Sequence, residues 1–102
     1  MITFNEYQKR IEPTEHWPKD VGVAYPIIGL CGEAGEVANE IKKLYRDDNG
    51  FLTNERKEKI IEEMGDVLWY LASLANYLHL DLGDIAKISL NKVENKTWEI
   101  KK

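Results

Sequence analysis

Between Ile60 and Leu78 the apolar residues Ile60, Val67, Leu71, Leu74 and Leu78 recur at helical spacing. Within that run, Val67-Leu68-Trp69-Tyr70-Leu71-Ala72 leaves almost no polar side for more than a full turn. A helix apolar on every side must be buried on more than one, and a chain of 102 residues has little spare surface to supply the second cover. The segment therefore predicts a helical protein completed by oligomerisation, with Leu68 and Trp69 in the contact between subunits. Aromatic residues scattered at the surface are the alternative.

The rest of the chain reads as helices too. Thr3 and Glu6 have the spacing of a capping box, and Phe4, Tyr7 and Ile11 continue a short first helix to Pro13. Pro13 to Gly22 reads as an irregular connection with two prolines. Pro26 suits the first turn of a long second helix ending at about Arg46, and Asn49-Gly50 stops it. Thr53 or Asn54 can cap the third helix, which runs to the His79–Gly83 break. Asp81 can cap a fourth, whose buried stripe of Ile85, Ile88 and Val93 leads toward Trp98. No segment of useful length alternates with strand period. The expected fold is one all-α domain over residues 1–102: four helices, the second and third forming a long antiparallel central pair.

Composition removes several classes of function. The net charge of −4 argues against a nucleic-acid polymer as partner, since many phosphates need a basic surface. A single phosphorylated metabolite held through a cation is compatible with it. Cys31, the one cysteine, cannot form an internal disulfide or a zinc site. No stretch approaches the ~20 apolar residues of a membrane span, and the first ten residues lack the core of a signal peptide. A cytoplasmic protein is expected.

The chemistry-bearing residues are acids. At ~100° per residue, Leu30, Ala34, Val37, Ile41 and Leu44 share one arc of the second helix, with Glu33, Glu36 and Glu40 in a narrow sector at its edge. Such like charges three and four apart repel unless something positive covers them, and Lys43 can answer Glu36 or Glu40. On the third helix Glu63 falls inside the apolar arc, with Asp66 at its edge. An ionised carboxylate there needs a partner: a metal, or Arg56 or Lys59 upstream. Two E-x-x-[ED] pairs on helices that pack face to face form a cluster of hard oxygen ligands suited to Mg²⁺ or Mn²⁺. Di-iron bundles require Glu-x-x-His, which neither His16 nor His79 supplies.

Gly29, Gly32 and Gly35 recur beside the acids without matching a dinucleotide fingerprint. Close helix packing is the first reading of them, close approach of a ligand the second. Lys42, Lys43 and Arg46 end the helix, where cations favour the dipole in any case. His16 and Trp17, on a connection, can stack on a base or serve the fold.

Taken together, GLCGEAGEVANEIKKLYRDD and EEMGDVLWYLA resemble the MazG-like all-α nucleoside triphosphate pyrophosphohydrolases, over about Trp17 to Lys96. The family pattern E-x-x-E, spacer, E-x-x-D is matched by Glu33, Glu36, Glu63 and Asp66. The resemblance implies hydrolysis of a nucleoside or deoxynucleoside triphosphate to its monophosphate and pyrophosphate, with Mg²⁺ held by those four acids. It also implies a homodimer or homotetramer. Trp17, Lys43 and Arg46 are candidate substrate contacts. On the last helix, Lys92 matches a phosphate-contacting lysine, and Asn95-Lys96 stands where Asn-Arg is common. Ser89 replaces an Asn found in many relatives, which puts the last helix's polar contacts in doubt but not the metal site. Glu36 or Glu33 is the candidate base for the attacking water. A nucleotide-binding helical oligomer without turnover and a phosphoribosyl-ATP pyrophosphohydrolase are the competing readings.

Overall fold

The computed structural model describes residues 1–96, and among these every regular element is helical. Helix α1 spans Phe4–Ile11, α2 Ala24–Asp47, α3 Asn54–Tyr77 and α4 Leu82–Glu94. Two short 3₁₀ turns, Glu12–Thr14 and Lys19–Val21, structure the connection between α1 and α2. The four expected helices are present. Trp98, toward which the fourth was read to lead, lies outside the described residues.

Local signals explain most boundaries. The capping box of α1 is complete: Glu6 N–H donates to Thr3 Oγ1 at 3.0 Å, and Thr3 N–H donates to Glu6 Oε1 at 2.7 Å. Helix α2 stops where Asn49 and Gly50 turn left-handed, at φ 55° and 79°, and the Asp48 and Gly50 N–H groups both donate to Leu44 O. Thr53 Oγ1 accepts the Arg56 N–H to begin α3. Asp81 occupies the N-cap of α4, but its side chain makes no capping bond. Helix α1 caps α4 instead. The Leu82 N–H donates to Gln8 Oε1 at 2.6 Å and the Gly83 N–H to Asn5 Oδ1 at 2.8 Å.

Helices α2 and α3 run antiparallel and share the most extensive contact in the molecule, with Arg56 beside Glu40 near one end and Tyr70 against Gly29 toward the other. Helix α1 crosses the C-terminal half of α3 and holds the start of α4. Ile11, Ala72 and Leu82 are buried there, with Tyr7, Leu68, Trp69, Leu71 and Ile85 packed around them. Leu68 and Trp69 are thus half-buried against α1 and α4 of the same chain, and the Trp69 indole N–H donates to Thr14 Oγ1 at 2.9 Å. The expectation that these two side chains need a second subunit is corrected. Its error was to treat α2 as the only cover available to α3. The expected stripe of α4 is also shortened, since Ile85 is half-buried but Ile88 and Val93 are exposed. Ala34 and Ile41, read as part of the buried arc of α2, are exposed as well.

Candidate active site

The acids converge on one edge of the α2–α3 pair. Carboxylate oxygens of Glu33, Glu63 and Asp66 all lie within 4.8 Å of one another. Their register explains the convergence: Glu33 is one turn after Gly29, whose missing side chain lets the Tyr70 ring lie directly on α2, and Tyr70 is one turn after Asp66 on α3. Glu36 is exposed and stands outside this tight triad, yet near enough for its charge to act on Glu63.

Electrostatically, Glu63 is the focus. Burial first, then the charges of Asp66, Glu33 and Glu36, push its carboxyl above the usual carboxylate range. No ion pair among the described residues reaches it. Arg56, its candidate partner, donates instead to Glu40 Oε1 and Asp48 Oδ2, both at 2.8 Å, and Lys43 pairs with Glu40 at 3.6 Å. The ion-pair reading of Glu63 therefore fails, and Glu40 separates from the other acids as a structural residue. Arg56 holds the Glu40 carboxyl below its usual range.

Beside the triad is a pocket of about 350 Å³ lined by Glu33, Asp66, Trp69 and Tyr70. The two rings meet edge to face, centroids 4.9 Å apart. Burial, then Tyr25 and the charge of Glu33, raise the Tyr70 phenol. Burial and the charge of Asp66 do the same to Tyr7. Trp69, Tyr70 and Tyr7 were not among the residues singled out for the site. The available signal was their register, since Trp69 and Tyr70 stand three and four residues after Asp66 and so lie above it on the same helix.

The remaining candidates lie elsewhere. Trp17 is buried within the fold: Tyr25 stacks on it at 5.1 Å, the Lys19 ammonium sits 4.4 Å over the ring, and its indole N–H donates to Ser73 Oγ at 3.1 Å. A ring so enclosed has no face open to a base. Arg46 is exposed and paired with Asp47 at 2.8 Å. Lys92 and Asn95 are exposed on the last turn of α4 and just past it, where Asn95 Nδ2 donates to Asn91 O. Helix α4 packs mainly on α1, so these residues are not brought to the acids of their own chain. Lys96 closes the described chain. Of the three glycines, only Gly29 packs closely; a Cβ at Gly32 or Gly35 would meet nothing within 4 Å.

The sequence profile of the MazG nucleotide pyrophosphohydrolase domain matches residues 27–99, which include both acidic pairs. The chain belongs to this family. It is 44% identical to the Gene 37 protein of Mycobacterium phage L5 over 75 residues, 74% of this chain and 66% of the phage protein. It is 35% identical to the uncharacterised protein YvdC of Bacillus subtilis (strain 168) over 72 residues, 66% of this chain and 68% of that protein. No solved structure gives a significant match. No helix among the described residues is long and apolar enough to cross a membrane.

Proposed function

We propose that the chain hydrolyses a nucleoside or deoxynucleoside triphosphate to its monophosphate and pyrophosphate. The supporting observation is the triad of Glu33, Glu63 and Asp66, whose oxygens lie within 4.8 Å of one another while no ion pair among the described residues reaches Glu63. Three carboxylates so close repel one another, and a hard divalent cation relieves that repulsion with the ligand type it prefers. The donor set thus fits Mg²⁺, with Mn²⁺ able to substitute. Bound there, the ion would neutralise triphosphate charge and acidify a coordinated water.

The chain's own residues supply the rest. Trp69 and Tyr70 wall the pocket beside the acids and limit solvent on that side. The water oxygen bonds to the α-phosphorus while the bond from phosphorus to the α,β-bridging oxygen breaks, and pyrophosphate departs. Glu36, exposed beyond the triad, takes the proton released by that water.

A panel of NTPs and dNTPs with Mg²⁺, assayed separately for pyrophosphate and orthophosphate, tests this reading. Pyrophosphate and monophosphate in equal amounts are expected, and Mn²⁺ should support turnover where Ca²⁺ does so poorly. Orthophosphate as the first product would refute it.

A further inference from the structure

Arg56 and Glu63 stand seven residues apart on α3, as do Glu33 and Glu40 on α2, so two helical turns separate the members of each pair. One antiparallel register therefore makes two contacts. It sets Arg56 against Glu40, Nη1 to Oε1 at 2.8 Å, and two turns further on it sets Glu63 against Glu33 in the acidic triad. The guanidinium and the acids share one edge of the helix pair. Glu36 lies between them on α2, four residues before Glu40 and three after Glu33.

The Arg56 side chain is 13% exposed and that of Glu40 8%, so a guanidinium deprived of Glu40 would be a buried cation short of a partner. Asp48 would still hold its Nε at 2.8 Å and leave the other end of the fork to turn. The next anion along the edge is Glu36, ~6 Å from Glu40 along α2 and within the swing of a long arginine stem. There the guanidinium would occupy the acid whose charge already acts on Glu63, and it would repel a cation at the triad. Lys43, the other partner of Glu40, is no equal threat, because it stands two turns from Glu36 with Asp47 one turn beyond it.

We propose that Glu40 is a positioning residue for the metal site: together with Asp48 it captures Arg56, keeps that guanidinium off Glu36, and leaves the acids open to a divalent cation. This rests on the reading of the triad as a metal centre. The order of the charges fits the role. The anion sits on the helix that carries Glu33 and Glu36, and the cation sits on the opposite helix, where Glu40 and Asp48 meet it. A cation at position 40 would instead stand four residues from Glu36 on its own helix and draw it into an ion pair.

Mn²⁺ binding, followed by the electron paramagnetic resonance of the free ion, tests this without turnover. Wild type should bind Mn²⁺ and Glu63→Gln far more weakly, which ties the signal to the triad. Glu40→Met, unable to hold a guanidinium, should raise the Kd for Mn²⁺ roughly 10–100-fold, the usual effect of losing a residue that supports metal ligands. Adding Arg56→Met to Glu40→Met should restore the wild-type Kd, since the displaced cation is then gone. Apolar replacement of both buried charges is also well tolerated by folding. Arg56→Met alone should bind no more weakly than wild type, whereas a purely structural pair predicts that all three variants weaken binding together. Should Glu40→Met lose its helical circular dichroism, Glu40→Gln carries the same test with a smaller shift in the same direction. Unchanged binding in the folded Glu40 variant, or a double variant as weak as Glu40→Met, would overturn the proposal alone. Absence of Mn²⁺ binding by wild type would overturn the metal reading and the proposal with it.

Discussion

Replacing Gly29 by alanine should destabilise the protein although alanine is the better helix former. A Cβ at this position would overlap the Cε1, Cδ1 and Cζ atoms of Tyr70. That ring cannot swing aside freely, because Trp69 meets it edge-on at 4.9 Å. Overpacking of this kind costs about 1–3 kcal/mol. Removing a helical glycine returns about 1 kcal/mol. The net loss is up to about 2 kcal/mol, and at ~4–8 °C per kcal/mol in a domain of this size the midpoint should fall by up to roughly 15 °C. Gly32→Ala is the matched control: it has the same helix and chemistry, with nothing within 4 Å of the new methyl. It should gain about 0.5–1 kcal/mol. Thermal unfolding followed at 222 nm, with protein concentration fixed and EDTA present, measures both. A Gly29→Ala protein as stable as Gly32→Ala would refute the argument that Tyr70 occupies the space of the missing side chain. The same pair bears on function, because displacing Tyr70 reshapes the pocket beside Glu33 and Asp66, so Gly29→Ala should lose turnover as well.

Further outcomes follow from the charges and the buried indole. Glu63→Gln and Asp66→Asn should each remove metal-dependent turnover while helix content is unchanged. Because the folded-state pKa of Glu63 is raised, the folded protein holds that proton to higher pH than the unfolded chain does, and stability falls as pH rises above the ordinary carboxylate range. In EDTA, Glu63→Gln should therefore melt above wild type near neutral pH and converge with it below about pH 4; a constant difference would contradict the shift. Arg56→Met should show the opposite sign. The contribution of the lowered Glu40 carboxyl is present above the ordinary carboxylate range and lost as pH falls through its folded value, so the variant's deficit in urea unfolding should be largest at neutral pH and shrink in acid. Trp17→Phe leaves the fully buried Ser73 hydroxyl without its donor and should cost about 1–3 kcal/mol, with KM for nucleotide unchanged; a KM effect without a stability effect would restore Trp17 to the substrate.

Much of this architecture was legible in the sequence because it is encoded locally. The Thr3/Glu6 box, the Asn49-Gly50 stop and the Thr53 cap are each written within four residues, and the structure uses all three. The acidic pairs were legible because helical periodicity fixes which side chains share an edge. What escaped was decided by tertiary pairing. Arg56 could reach Glu63 or Glu40 on spacing alone, and only the register of α2 on α3 selects Glu40. Trp17 resembled a binding-loop residue until Ser73, 56 positions away, accepted its N–H. Leu68 and Trp69 looked uncovered because periodicity does not reveal that α1 folds back over α3.

The amide of Gln8 places that return of α1 in time as well as in space. One side chain donates to Asn76 Oδ1 at 2.9 Å and to Leu80 O at 2.6 Å while accepting the Leu82 N–H, over sequence separations of 68 to 74 residues. By contrast, the α2–α3 pair closes over a connection of only a few residues. Loop-closure entropy makes the near contacts faster to form than the distant ones. The α2–α3 hairpin, which carries all four acids, should assemble first, and α1 should dock afterwards to fasten the start of α4. Run backwards, the same order makes the Gln8 junction the first to open. The Leu82 amide should therefore exchange with solvent deuterium through a partial opening, while amides at the centre of α3 exchange only when the whole molecule unfolds.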